Sequence, residues 1–282
     1  MHESFAGFSR ALYSNWFWHR SLQLLIDAGE GLSLALGTNV FSPDIIAITH
    51  GHSDHVLGLP GFAGARRFGK GASEKPWTVI YPDGSTGVEA MRAVIAGVWR
   101  DVAFPVQWVA VNPGDQHRIS RLRVLEAFAV THVSTEKTLG YRVLETRRRL
   151  KAEHASLLPT EVERIARRHG RDAVMEEFTH VVFAHSGDAM PIDPALVTGA
   201  DLLVHDATFF GSSERRAPIH ATSDEVLQLA RTAQVRSLVI NHLSIRYDRA
   251  VAIPKLREQV LASGFTGECW LLDESEFINL ND

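Results

Sequence analysis

Apolar residues in this chain gather in short runs, many rich in Val, Ile and Leu, with amphipathic stretches between them. The runs predict strands at Leu22 to Asp27, Ile45 to Thr49, Trp77 to Tyr81, Val106 to Val111, Leu122 to Val130, Tyr141 to Leu144, His180 to Ala184, Leu202 to His205, Ser237 to Asn241 and Trp270 to Leu272. Helix ends are marked by side-chain chemistry. Thr222 with Glu225 forms a capping-box signature before Val226 to Ala233, and Thr160 with Glu163 does the same before Ile165. Pro254 opens a third helix that Gly264 closes. The glycine-rich segments Gly58 to Gly71 and Gly84 to Gly87 read as loops. Strands alternating with helices, without an internal repeat, predict an α/β fold.

At 282 residues, 45% hydrophobic and 22% charged, the chain can bury a core without covalent staples, which excludes a disordered or fibrous protein. A single cysteine, Cys269, excludes an intrachain disulfide, a thiolate metal cluster and a CxxC redox pair, and points to a reducing, cytoplasmic setting. No run approaches the roughly 18 apolar residues of a membrane span, and Met1 to Arg20 lacks a secretory layout, so no membrane partner is expected. A net charge of −4 gives no global attraction for nucleic acid. One stretch departs from this balance: Arg142 to Arg171 holds nine Arg or Lys against four Glu. It is either a solvated pair of surface helices or an anion-binding arm.

The chain has 14 histidines, and their placement is informative. His50-Gly51-His52-Ser53-Asp54-His55 puts four ligand-type side chains in six residues, directly after the run Ile45 to Thr49 and before the turn-rich Gly58-Leu59-Pro60-Gly61. In extended backbone at a strand end, His50 and His52 point the same way and can grip one ion; Asp54 and His55 meet a second as the chain turns. Imidazole and carboxylate without thiolate suit zinc, with iron and manganese also admitted. Four ligands do not fill two coordination spheres. His132 ends the run Leu122 to Val130, Asp188 follows His180 to Ala184, and His242 follows Ser237 to Asn241; these complete the set, with Asp188 as the bridging carboxylate. Two ions held this way retain positive charge for an anionic substrate such as a phosphodiester, and bring a bound water near neutral pKa as the nucleophile.

These residues resemble a known family. His50 to His55 with Gly58-Leu59-Pro60-Gly61, preceded by Asp27-Ala28-Gly29-Glu30-Gly31 and followed by Ser186-Gly187-Asp188, resembles the metallo-β-lactamase fold and, within it, the ribonuclease Z (tRNA 3′-processing endonuclease) branch. Gly140-Tyr141 after His132, His205-Asp206-Ala207-Thr208-Phe209, and Asn241-His242-Leu243-Ser244-Ile245-Arg246-Tyr247 fall in that branch's order. The resemblance spans roughly residues 22 to 250. It implies a four-layer αββα sandwich, a single metallo-hydrolase domain over residues 1–282, and a homodimer. It makes His50, His52 and His132 ligands of one zinc and Asp54, His55 and His242 of the other, with Asp188 bridging. It implies Asp27 as a buried carboxylate orienting a ligand histidine, and Asp54, His220 and Asp206 as catalytic. In that set His220 protonates the leaving oxygen and Asp206 is its partner, standing where the branch carries Glu.

The departures bear on substrate. The branch's N-terminal strand with its Gly-Thr turn is not visible in Met1 to Arg20, where Trp16, Phe17 and Trp18 stand. A Gly-Pro arm that grips the tRNA elbow is expected after Gly140-Tyr141; a basic, helix-patterned insertion at about 145–170 replaces it. The expected function is therefore a dinuclear zinc phosphodiesterase, with the 3′ end of precursor tRNA as one substrate and a basic arm at Arg147 to Arg171 for RNA. The alternative is a small-molecule hydrolase of a cyclic nucleotide, other cyclic phosphate, lactone or thioester on the same fold.

Overall fold

The computed structural model describes residues 4–70, 75–100 and 106–282; residues 1–3 and Gly71 of the segments discussed above lie outside it. One sheet contains β1 (Phe5–Arg10), β2 (Ser14–His19), β3 (Leu24–Ile26), β4 (Ile45–Ala47), β5 (Trp77–Pro82) and β6 (Val106–Val111), in that order. The second contains β7 (Gln116–Arg118), β8 (Arg123–Ala129), β9 (Leu139–Leu150), β10 (Met175–His185), β11 (Leu203–Asp206), β12 (Ser237–Asn241), β13 (Glu268–Asp273) and β14 (Glu276–Asn279), also in sequential order. Strands β3 to β6 are parallel, as are β10 to β13. Parallel strands buried on both faces account for the continuous apolar runs in the sequence.

Alternate residues of one strand serve different layers. In β3, Leu24 and Ile26 enter the core between the sheets, where they meet Phe183, Val204 and Val239, whereas Leu25 faces the opposite way. That outer face packs against α1 (Leu32–Leu36), α3 (Leu59–Lys70) and α4 (Thr86–Val98). Across the molecule, Leu203, Leu238 and Ile240 face α6 (Ser223–Thr232) and α7 (Arg249–Ser263). Three apolar cores thus separate four layers, the αββα sandwich expected from the sequence. No helix among the described residues is long and apolar enough to cross a membrane.

Several local expectations are corrected. The described part of the segment predicted as a loop, up to Lys70, is helical from Leu59: Leu59, Phe62, Ala63 and Arg66 recur on one buried face of α3. Its glycines serve close packing, since a Cβ at Gly64 would lie 3.0 Å from the Trp99 ring. Gly84 to Gly87 is only partly a turn, because Ser85 caps α4 and Gly87 lies inside it. Met1 to Arg20 contains the hairpin of β1 and β2; its consecutive aromatics hid the alternation, Phe17 entering the inter-sheet core while Trp16 and Trp18 face the helices. The third helix begins at Arg249, capped by the Asp248 side chain, and carries Pro254 inside it. Thr160 does not cap α5 (Pro159–His169); the Leu158 N–H donates to the Glu161 carboxylate instead. The basic segment divides: β9 and β10 pair as far as Leu150 and Met175, and only the tip between them is helical.

Candidate metal centre

The chemistry-bearing residues collect at one edge because the parallel strands end there. Asp27 follows β3, and His50 and His52 follow β4; Asp54 and His55 lie on a one-turn helix, α2, spanning Ser53–Val56. His132 follows β8, Asp188 follows β10, Asp206 ends β11 and His242 follows β12. Asp27 and His242 both adopt left-handed backbone, with φ of 58° and 60°, so the chain turns sharply and presents each side chain to the same space.

Their ligand atoms fall into overlapping groups. His50, His52 and His132 form one, with His50 Nε2 3.0 Å from His52 Nδ1. Asp54, His55 and His242 form another, the Asp54 carboxylate standing 3.5 Å from His55 Nε2 and 3.7 Å from His242 Nε2. Asp188 lies between them: Oδ1 is 3.5 Å from His55 Nε2, and Oδ2 is 3.2 Å from His242 Nε2 and 3.9 Å from His50 Nε2. The structure therefore brings together all seven residues that the sequence offered as ligands.

Most of these imidazoles are oriented through their outer nitrogen. The Thr49 hydroxyl donates to Asp27 (2.8 Å), which leaves it to accept from His50 Nδ1 (3.0 Å). Thr208 repeats the device on the other side, donating to Asp206 (2.7 Å) and accepting from His242 Nδ1 (2.9 Å). His55 Nδ1 donates to Asp27 (2.8 Å) and His132 Nδ1 to the Ile219 carbonyl (2.8 Å). In this network the Nε2 atoms of His50, His55, His132 and His242 face inward. The inward Nε2 of His132 is buried without a hydrogen-bond partner, a costly arrangement that a bound divalent cation would relieve. With five imidazoles and two carboxylates as donors, the site fits divalent metal ions.

Electrostatics reflect the crowding. Burial and the neighbouring His55 push His50 well below the usual imidazole range. Burial also disfavours charge on His55 and His242, but nearby carboxylates, Asp188 foremost, raise both above it. Asp188 is held well below the usual carboxylate range despite its burial, by His242 and His55.

His220 stands beside the cluster, its ring 4.9 Å from that of His132 and stacked at 5.1 Å on His242. Its Nδ1 donates to Asp206 Oδ2 at 2.7 Å. Burial would lower the His220 pKa, but the Asp206 carboxylate raises it to about 9, which favours the protonated ring. Asp206 also accepts from the Ala189 and Thr208 amides and the Thr208 hydroxyl, which commits both of its oxygens to protein donors and sets it apart as the His220 partner. The cavity of about 340 Å³ bounded by Phe5, His19, Arg123 and Asp201 holds none of these groups.

Residues 13–227 match the Metallo-beta-lactamase superfamily. The chain belongs to this superfamily. Within it, the chain falls in the ribonuclease Z branch: it is 31% identical to a ribonuclease Z of Halorubrum lacusprofundi, covering 92% of this chain and 88% of that protein. It is 32% identical to a ribonuclease Z of Bradyrhizobium sp. over 80% of this chain and 81% of that protein. The short form of human tRNase Z shares the fold at a TM-score of 0.64 and 17% identity, covering 99% of both chains. The metallo-beta-lactamase fold protein YhfI from Bacillus subtilis does so at 0.66 and 14%, covering 98% of this chain and 99% of its own.

Sequence reasoning missed several residues that build this superfamily site. The Asn15 side chain, from β2, donates to Asp54 Oδ2 at 2.9 Å. Glu136 accepts from the Gly51 amide (3.1 Å) and the Ser85 hydroxyl (2.5 Å), tying the loop after His132 to the histidine motif and to the start of α4. Thr49 directly precedes the motif, so a search for hydroxyls flanking ligand-type histidines finds it; Thr208 lies two residues after Asp206 but 34 from His242, which it orients. Asn15 and Glu136 carry no such local signal.

Proposed function

We propose that this chain is a dinuclear metal-dependent phosphodiesterase that cuts RNA, with the 3′ end of precursor tRNA as its leading substrate. The observation that carries the reading is the meeting of His132, Asp188 and His242 with the His50-to-His55 cluster, next to the hydrogen-bonded His220–Asp206 pair. His50, His52 and His132 would hold one zinc ion, and Asp54, His55 and His242 the other, with Asp188 shared. When bound, the ions supply Lewis acidity and water activation, and their excess positive charge suits a phosphodiester. Asp206 orients His220 and favours its protonated form, which can give a proton to the departing ribose 3′-oxygen.

The ribbon of β9 and β10 supports an extended substrate. Tyr141 and His185 pair near the metal edge, whereas Leu150 and Met175 pair at the far end, about 30 Å away at the usual rise per strand residue. The basic tip is thus not a lid over its own centre. Arg164, Arg168, Arg171 and Lys151 have no ion-pair partner among the described residues; Arg148 and Arg167 pair with Asp172 and Glu163. Free guanidinium groups on an arm suit RNA phosphates. The same proposal includes a homodimer, checked by sedimentation.

The experiment is turnover of precursor tRNA and of bis(p-nitrophenyl) phosphate by zinc-loaded protein. Both activities should vanish in His50→Ala and in Asp188→Ala. Wild-type protein inert on both substrates, or variants as active as wild type, would refute the reading; cleavage of small diesters alone would favour a small-molecule substrate.

A further inference from the structure

We infer that Arg215 is a positioning residue that fixes the backbone carrying His220, a role that rests on the proton-donor reading of His220 above. Arg215 lies in the connection between β11 and α6, and its guanidinium is largely shielded, with 14% of the side chain exposed. Nη1 donates to the His220 carbonyl at 3.1 Å and to Glu225 Oε2 at 2.8 Å, while Nη2 donates to Glu225 Oε1 at 3.0 Å. Nη1 also lies 3.4 Å from Met190 Sδ.

Glu225 is a firm anchor. It occupies the capping box of α6, accepting the Thr222 amide at 3.0 Å while its own amide donates to the Thr222 hydroxyl. The planar guanidinium bridges this helix end and the His220 carbonyl, a two-pronged grip that a lysine ammonium does not reproduce.

The held segment serves two functional side chains. The Ile219 carbonyl accepts from His132 Nδ1, the His220 carbonyl accepts from Arg215, and the Ala221 amide donates to the Ala189 carbonyl at 2.8 Å. Three successive residues therefore have a backbone group committed outside the segment. Releasing the His220 carbonyl leaves that peptide unit held by the Ala221 amide alone, which loosens the tilt of the peptide and with it the aim of the His220 ring at the leaving oxygen. Residues Ser212, Ser213, Arg216, Ala217 and Pro218 are exposed; Glu214 ties the start of this stretch to Tyr247 and Lys255, and Arg215 ties it to His220 and the head of α6.

In hydrolysis, water oxygen bonds to phosphorus, one water proton passes to solvent, the phosphorus–leaving oxygen bond breaks, and His220 gives that oxygen its proton. A poor leaving group needs the proton; a stable phenolate does not. The test compares zinc-loaded wild type, Arg215→Ala, Arg215→Lys, Glu225→Gln and the exposed control Arg216→Ala on the p-nitrophenyl and unsubstituted phenyl esters of thymidine 5′-phosphate. Amide hydrogen exchange of residues 219–221 is measured on the same proteins without added metal.

Arg215→Ala should lose about 10-fold or more in kcat on the phenyl ester, part of the roughly 10²–10⁴ a general acid supplies, and less than about 3-fold on the p-nitrophenyl ester. Exchange at the Ala221 amide should quicken. Glu225→Gln, which preserves the helix cap, should show the same selectivity to a smaller degree, and this variant decides the matter if Arg215→Ala does not fold. Arg215→Lys should recover only part of the loss, and Arg216→Ala should match wild type. Equal losses on both esters, or unchanged exchange at 219–221, would overturn the role of Arg215. Wild type inactive on both esters would instead count against the phosphodiesterase reading, leaving the exchange measurement to judge Arg215.

Discussion

Two threonine hydroxyls decide how His50 and His242, two of the proposed ligands, present themselves. Thr49 and Thr208 each couple a buried aspartate to the outer nitrogen of a histidine, so losing either hydroxyl leaves both partners short of a bond. Thr208→Val preserves shape but removes the acceptor for His242 Nδ1. Zinc affinity measured by competition with a chromogenic chelator should fall about 10–100-fold, the usual effect of removing an orienting partner, with little change in the metal-free fold. Gly187 is constrained in another way. Its φ of 62° and a would-be Cβ only 2.7 Å from Thr49 Cβ mean that Gly187→Ala strains the backbone and displaces Thr49 together. A loss of about 1–3 kcal/mol in urea unfolding of the metal-free protein is expected, and an unchanged midpoint would contradict the packing described.

Among the elements, the ribbon of β9 and β10 separates the packed fold from the arm proposed to bind RNA. Its outer half makes no contribution to the three cores, which end at Val143, Leu144 and Val181. Replacing residues 152–173 by a two-residue turn should therefore leave cleavage of bis(p-nitrophenyl) phosphate within about 2-fold of wild type, since surface changes away from packed groups have small effects. Salt-sensitive RNA binding, read by filter retention at two ionic strengths, should disappear; persistence of the full salt slope would place the RNA contacts elsewhere. The end of β2 offers a pH test. His19 is wedged edge-on between Phe5 (4.7 Å) and Phe183 (5.3 Å), and burial, reinforced by Arg123, lowers its pKa to about 4. Between pH 6.5 and 4 the unfolded chain binds a proton that the folded chain refuses, so stability is complete above 6.5 and declines as pH falls through this window. In His19→Phe the drop in urea midpoint from pH 7.5 to 5 should be smaller than in wild type. An equal drop would show that His19 does not titrate this way.

At the scale of the molecule, metal binding, pH and stability are linked. Without metal, Asp188 and the neighbouring carboxylates favour the protonated forms of His55 and His242 against the cost of burial. Ions must displace those protons, so affinity should weaken as pH falls, and calorimetry in two buffers of different ionisation enthalpy should detect proton release on zinc binding. Heats independent of the buffer would argue against this ligand set. Because the ions join loops from both sheets, zinc should also raise the melting temperature, and a chelator should reverse the rise.

The sequence by itself determined what depends on near neighbours. The His50-to-His55 motif is legible because its ligands share one strand end and the turn after it. The parallel strands are legible because burial on both faces leaves unbroken apolar runs such as Leu202 to Val204. Near-neighbour patterns failed where packing overrode them, as with the glycines of α3 and the uninterrupted aromatics of β2. Strand order and register, which only the tertiary structure decided, carry Asn15, His132, Asp188, Asp206 and His242 to one edge from positions far apart in the chain. They also send the basic ribbon to the opposite end and set Ile219 against His132, 87 residues away. Such contacts leave little trace in local spacing, because a hydrogen bond between distant segments depends on the whole path of the chain between them.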